Sequence, residues 1–532
     1  MTTFFLCEKP SQARALAKAL AVPSVEDGVF EGGGILISHT YGSMLGLAMP
    51  DHYLNDSKWR LPDLPVMPEK WDMTVLPKMR EQFVKIGGLL ARSDRAVIAT
   101  DPDDAGEVIG RVILYAHGFK GEVKRLWASA LDPESLLYAA KHLRPLAETD
   151  SFYRAGLAKM QMDWLFGMNL SRLFSIVRKS TSKIGRVKTQ LLAELVNREM
   201  EIATYRPTMR PEISGVSNGV VFEPTTPGSM TSLDGIAPVA NCVSVHSDVV
   251  ELAPPLPFTL SALLTQLAIN GVGLDAGYAA VQGLYEAGMI SYPRTGSTVL
   301  PSSNATGFAN HHAIMPVGYG MTSGMSLSAA QMAAYQAISA NYNMNVAGPA
   351  TLKRTVILME VGGVTFSHTS MSLSSQDDAG WLMLSADEYE RYRYSDERVK
   401  GFLPKRAYPL KLSMKRIAST QPDRHSEASL MKFMIERNVG TEATRVAEIG
   451  TLVKDGVAII EEGEFRLTAQ GKSLYRDLPK GVLGRDMSDM TRYAVEDARF
   501  KGIYYPHLEN AKQWLSEIIA ETTQGQKSSS LV

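Results

Sequence analysis

Two blocks of β-branched, alternating sequence stand apart in this chain, with helical sequence between them. Glu212 to Glu223 and Asn241 to Leu252 form the first block, with Gly, Ser and Asn punctuating it; Thr351 to Phe366 and Tyr408 to Ser413 form the second. The stretch from about 255 to 350 reads as helix, and helical sequence resumes after 425. A chain that makes strands, leaves for helices and returns to strands goes out and comes back. That nesting predicts one β-rich domain interrupted by another, as an arch or ring requires. With 532 residues the chain is too long for one ordinary core, so several domains are expected.

The N-terminal 150 residues alternate strand-like and helix-like runs. Thr3 to Cys7, Gly34 to Ser38 and Arg95 to Thr100 read as strands. Ser11 to Leu20 reads as a helix capped by Ser11, Met79 to Ile86 as a helix stopped by Gly87-Gly88, and Glu107 to His117 as a helix. Such alternation predicts a mostly parallel sheet whose site lies at the strands' C-terminal ends. Glu8-Lys9 and Asp101 to Asp103 both follow strands directly, so one crevice can hold both groups. Residues 151 to 204 read as helices with few breakers.

Bulk properties narrow the class. Cys7 and Cys242 alone can build neither a disulfide framework nor a four-thiolate zinc site. Apolar runs are broken well short of a bilayer span, and the N-terminus has no secretory-signal pattern, so a cytoplasmic, membrane-independent protein is expected. A net charge of −1 gives no global attraction to nucleic acid. Positive charge is concentrated instead between residues 172 and 210, where basic side chains outnumber acids; a solvated helix face explains that bias as readily as a polyanion site.

Chemistry-bearing groups recur at intervals. In Gly288-Met289-Ile290-Ser291-Tyr292-Pro293-Arg294-Thr295, Pro293 pushes Tyr292 towards extended geometry, and Arg294 offers a fork for phosphate oxygens. A tyrosine nucleophile needs its proton removed and its developing charge handled. By itself the segment also fits a turn around a packed aromatic. Asp101, Asp103 and Glu107 form an acidic loop suited to Mg²⁺, or simply a polar strand-to-helix turn. Glu8 can serve as a general acid and Lys9 can stabilise charge on a transferring phosphate, although a charged helix start looks the same. His311-His312 has no further ligand pair at zinc spacing nearby.

The order of these segments is more informative than any one of them. Glu8-Lys9-Pro10-Ser11, the acidic loop, Tyr292-Pro293-Arg294-Thr295 and His311-His312-Ala313-Ile314 follow one another as in the type IA DNA topoisomerases, most closely the topoisomerase III branch. Asp163 to Arg172, Ile184 to Thr189, Leu284 to Gly288, Gly440 to Arg445 and Leu467 to Gly471 resemble further motifs of that family, and the resemblance covers roughly residues 1 to 480. It implies a multidomain α/β plus α architecture: an N-terminal Toprim domain (1–150), then a toroid of helical domains and a β-rich arch. The gate domain would comprise 151–212 and 414–520, the arch 213–254 and 352–413, the tyrosine-bearing helical domain 255–351, with a disordered tail at 521–532. Carried over by motif, the catalytic residues are Tyr292, Arg294, Glu8, Lys9 and His311. The Mg²⁺ ligands are Asp101, Asp103, Glu107 and Glu8, and Arg172, Arg186, Lys188 and Arg445 line a groove for single-stranded DNA. The implied reaction cuts one strand through a 5′-phosphotyrosine, passes DNA through the gate and rejoins the strand without ATP. Implied partners are single-stranded DNA, negatively supercoiled or gapped duplex, and a helicase or single-strand-binding protein, with the enzyme a monomer at the nucleoid.

Departures from the family pattern leave a competing reading open. Where the family loop has Asp-x-Asp-Arg-Glu-Gly-Glu, Asp104 takes the arginine place and Ala105 replaces the first glutamate, so either Asp104 compensates or the metal binds weakly. Gly296 replaces an aspartate, and Lys188 a glutamine. No cysteine-rich ribbons follow the core. The competing reading is a DNA-binding remodelling protein of the same fold with weakened strand transfer. A Toprim nuclease or primase would explain only the first 150 residues.

Overall fold

The computed structural model describes residues 1–54, 58–301, 312–317 and 326–529. The chain divides into two compact units. One comprises Met1–Glu199, Thr259–Tyr335 and Arg424–Val532; the other comprises Met200–Phe258 and Gln336–Asp423.

The first unit is built on a seven-stranded sheet. Its order is Ser24–Glu26, Val29–Gly32, Ile35–His39, Thr3–Cys7, Arg95–Ala99, Glu122–Arg125 and Arg144–Pro145. The four inner strands run parallel, as the strand–helix alternation predicts, and the outer ones are antiparallel. Phe4, Leu6, Ile98 and Ile113 are fully buried between this sheet and its helices. Thr3–Cys7 lies in register with Arg95–Ala99, Cys7 opposite Ala99. Glu8 and the acidic loop therefore leave the same edge of the sheet side by side.

Three local readings are revised. The first helix is Pro10–Ala19, with Lys9 at its cap and Pro10 in the first turn, where a missing N–H costs nothing. The second runs Arg80–Ala91, straight through Gly87-Gly88. Gly87 is there for packing, since a Cβ would lie 2.6 Å from the His117 ring. The third begins at Asp104 rather than Glu107, because the Asp103 carboxylate caps it by accepting the Gly106 N–H at 2.7 Å. Helices Asp150–Arg178 and Arg186–Thr204 follow. The last helix, Tyr505–Ser529, continues beyond Thr522, where a disordered tail was expected.

In the second unit, strands from both β blocks join one seven-stranded antiparallel sheet. Its order is Ala407–Pro409, Val239–Leu252, Ala350–Val361, Val364–Leu373, Val220–Pro224, Met209–Ser217 and Lys411–Ala418. Phe222, Met359, Phe366 and Leu410 close its core.

One glycine fixes the shape of the acidic loop. A Cβ on Gly106 would sit 2.0 Å from the Asp101 carbonyl oxygen, a backbone atom that cannot yield. Gly106→Ala is expected to lower stability by about 3 kcal/mol, the upper end for overpacking. Urea unfolding measures it, and an unchanged midpoint would refute this account of the loop.

Candidate active site

The Tyr292 segment is docked on the stretch that follows the fourth parallel strand. The Tyr292 N–H donates to the Ser129 carbonyl at 2.7 Å, and Ser291 bridges to Ala130. Gly288 makes the approach possible. Its φ is +70°, and its Cβ position lies 3.2 Å from the Asp132 nitrogen. On its other side, the Ser291 N–H donates to Met315 and its hydroxyl accepts the Met315 N–H.

This docking carries the tyrosine to the acidic loop. The Tyr292 hydroxyl donates to Asp103 Oδ2 at 2.6 Å, with the side chain 2 % exposed and Tyr285 set edge-on at 5.6 Å. Arg294 reaches Asp101 Oδ2 at 3.3 Å and Glu8 Oε1 at 3.9 Å. Lys9 Nζ donates to Asp101 Oδ2 at 3.2 Å, and the Asp101 N–H donates to Glu8 Oε2 at 3.1 Å. The structure thus brings Glu8, Lys9, Asp101, Asp103, Tyr292 and Arg294 into one cluster. Gln12, which the sequence reading passed over, ties two members together: it accepts the Glu8 N–H at 2.9 Å and donates to Asp101. Its position one turn into the first helix, after Glu8, was the available signal.

Electrostatics follow from the crowding. Burial, then Asp101 and Asp103, push the Glu8 carboxyl up to about 8, against the pull of Lys9 and Arg294. Burial and Asp103 hold the Tyr292 phenol well above its ordinary value, while Arg294 opposes them. Arg294 itself is raised, because Tyr292 and Asp101 outweigh its burial. Its Nε is buried with no acceptor among the described residues.

Glu107 belongs elsewhere. It is fully buried, and it accepts from Arg125, from Arg111 Nε at 2.9 Å and from the Thr149 hydroxyl at 3.0 Å. Glu107, expected as a metal ligand, has both oxygens committed to buried arginines. Arg125 is the larger omission of the sequence reading. Its guanidinium also donates to the carbonyls of Ile98 (3.1 Å), Thr100 (2.9 Å), Leu126 (2.5 Å) and Asp101 (2.7 Å), so it pins the loop from beneath. Asp104 does not compensate for Ala105, since Arg499 holds both its oxygens. Among the described residues no three His, Cys, Asp or Glu side chains form a ready-made metal cage. His311 lies outside the described residues; His312 is described, and burial lowers its imidazole pKa.

The four basic residues expected to line a DNA groove are ion-paired within the fold. Arg172 is 4 % exposed, pairs with Asp51 and lies over the Trp59 ring at 5.0 Å. Arg186 binds Asp163 at 2.8 Å, and Arg445 binds Glu442 at 2.6 Å and Ser261 at 2.9 Å. Lys188 binds Asp455 at 2.7 Å. Of the four, Lys188 borders a cleft of about 740 Å³, with Arg178, Lys183, Lys454 and Asp455 also on its walls. Arg172, Arg186 and Arg445 thus each meet a carboxylate of the fold.

A buried tyrosine docked against the strand-end acids of a Toprim-like sheet defines a class that exchanges phosphodiesters through tyrosine, and the comparisons agree. The Toprim domain profile matches residues 3–131, and the DNA topoisomerase profile matches 147–310 and 302–497. The chain belongs to the DNA topoisomerase family, in its type IA class. It is similar to DNA topoisomerase 3 of Vibrio cholerae, 26% identical over 98% of this chain and 94% of that protein. DNA topoisomerase 3 of Bacillus licheniformis is 25% identical over 90% of this chain and 76% of its own length. Full-length topoisomerase I of Thermotoga maritima shares the fold, with a TM-score of 0.74 at 20% identity over 96% of this chain and 90% of that one. No helix among the described residues is long and apolar enough to cross a membrane.

The Glu8 carboxyl offers a pH test. A carboxyl raised in the folded state binds its proton more tightly there than in the unfolded chain. Its favourable contribution is complete below about 4.5 and is lost as pH climbs to about 8. Glu8→Gln is therefore expected to flatten part of the fall in thermal midpoint across that window and to match the parent below it. Identical slopes for parent and variant in differential scanning calorimetry would disprove the assignment.

Proposed function

We propose that this chain cleaves one DNA strand through Tyr292, passes DNA through the break and reseals it without ATP. The observation that carries this reading is the 2.6 Å hydrogen bond from the Tyr292 hydroxyl to Asp103, within the Glu8–Lys9–Asp101–Arg294 cluster. The phenolic oxygen bonds to a backbone phosphorus while the bond from phosphorus to the 3′ oxygen breaks. Asp103 is the base already in contact with the phenolic proton, and Glu8, raised to about 8, holds a proton for the departing 3′ oxygen at neutral pH. Arg294, whose Nε has no acceptor among the described residues, and Lys9 counter charge on the phosphate. One phosphodiester replaces another, so the reverse reaction needs no nucleotide. Because Tyr292 is 2 % exposed, a strand reaches it only after its segment parts from the Ser129 region.

The hard, crowded carboxylate oxygens of Asp101, Asp103 and Glu8 suit Mg²⁺, and a cation would add to the pull of Lys9 and Arg294 against the burial and neighbouring acids that raise Glu8. These three would hold the ion, without Glu107; when bound it would neutralise phosphate during rejoining. DNA backbone would follow the cationic cleft beside Lys188 and Lys454. Single-stranded regions of negatively supercoiled or gapped DNA are the proposed substrates, handled by a monomer in the cytoplasm with a helicase or single-strand-binding protein supplying them.

Incubation with a labelled oligonucleotide is expected to trap an adduct that peptide mapping assigns to Tyr292. Tyr292→Phe should form none; an adduct surviving in that variant would sink the reading. Ala105 supports one competitor, a DNA-remodelling protein with little strand transfer. Titrating Mg²⁺ against relaxation of a negatively supercoiled plasmid separates them: activity that rises with Mg²⁺ and is lost on chelation is expected, whereas intact strand binding with no relaxation at any concentration favours the competitor.

A further inference from the structure

We infer that Arg499 is a positioning residue for the acidic loop, acting through Asp104 from a helix near the C-terminal end of the chain. The proposal rests on the reading of Tyr292 as nucleophile. Asp104 is the first residue of the Asp104–Ala116 helix and follows Asp103 directly. Asp103 holds the tyrosine hydroxyl with Oδ2 and caps that helix with Oδ1. Any force on Asp104 is therefore felt one residue from the atom that orients Tyr292.

That force comes from Arg499, at the end of helix Asp486–Phe500 and 395 residues away in sequence. One of its terminal nitrogens donates to both Asp104 oxygens, at 2.6 and 2.5 Å. The guanidinium also rests on the Phe152 ring at 4.9 Å, a second contact that helps hold its direction. Helix Asp150–Arg178 closes the other side of the joint. A Cβ on its Gly156 would stand 2.5 Å from the Asp104 carbonyl oxygen, so the helix start is wedged between two long helices.

Charge explains why the joint is needed. Asp104 adds a carboxylate beside Asp103, in a cluster that already crowds Glu8 and Asp101. Uncompensated, it would repel phosphate and draw cations away from Asp101 and Asp103. Arg499 neutralises it and fixes its backbone at once. The resembled family carries an arginine within the loop at this place; here the guanidinium is mounted on a distant helix and the loop carries its acceptor.

The test uses the full chain and three variants: Arg499→Ala, Asp104→Arg, and the exchanged pair Asp104→Arg with Arg499→Asp. Hydrogen exchange at the Gly106 amide, which Asp103 holds, reads the loop without requiring catalysis. Exchange is expected to accelerate about tenfold in each single variant and to return within about threefold of the parent in the exchanged pair. Single-turnover cleavage of an oligonucleotide should fall about tenfold in the single variants, with its Kd within twofold, and recover in the exchanged pair. Unchanged Gly106 exchange in Arg499→Ala, or an exchanged pair no better than either single variant, overturns the proposal. So does a cleavage loss matched by an equal loss of binding. Should the parent form no adduct, the function reading falls, while Gly106 exchange still judges the joint.

Discussion

Arg125, Glu107 and Arg111 form a buried ionic knot beneath the acidic loop, and the site above depends on it. Arg125 and Glu107 are 0 % exposed and Arg111 3 %. Charges so deep are costly to desolvate, and a knot of this kind is weak evidence for stability. Its value here is geometric. Arg125 spends its remaining donors on the carbonyls of Ile98, Thr100 and Asp101, the residues through which the strand becomes the loop. Arg111 extends the knot to Asp150, Thr149 and the Leu146 carbonyl, at the start of the long helix. Losing one partner would leave a buried charge uncompensated, a change that generally costs about 3–5 kcal/mol. The loop's shape is therefore set from below, independently of what binds above.

Above the knot the balance differs. Glu8, Asp101 and Asp103 face Lys9 and Arg294, and burial together with the neighbouring acids outweighs the cations, as the raised Glu8 and Tyr292 groups record. The Tyr292 hydroxyl keeps its proton, held against Asp103. A phosphate entering beside Arg294 would bring an acceptor to its buried Nε and draw the guanidinium towards the reacting centre. The arrangement suits differential stabilisation: the cationic groups gain most when charge builds on the transferring phosphate, not before.

Sequence reasoning reached the parts of this site that obey local rules. Strand ends followed by Glu8 and by Asp101 were legible because apolar runs stop where polar chemistry begins, and parallel pairing then sets the two groups side by side. The tyrosine's meeting with Asp103 needed family order, since 189 residues separate them and no local pattern joins them. The ion pairs of the basic residues were hidden from the sequence for a related reason. Arg172 and Lys188 look unpaired in one dimension because their acids lie elsewhere: Asp51 is 121 residues from Arg172, and Asp455 is 267 from Lys188. Gly87-Gly88 misled in the opposite sense, because a glycine chosen for contact with His117 looks the same as one that ends a helix.

The departures in the acidic loop then act together. Ala105 removes a carboxylate from the rim and is itself exposed, while Asp104 adds one that Arg499 occupies. Glu107 is held in the knot below, so it cannot replace what Ala105 lacks. The carboxyl groups left near Tyr292 are those of Glu8, Asp101 and Asp103, each anchored by backbone or side-chain donors from a different direction. Fewer free carboxylates lower the field that attracts a cation and also lower the repulsion an incoming phosphate meets. In this chain the charge of the site is therefore governed as much by which acids are already paired as by which acids are present.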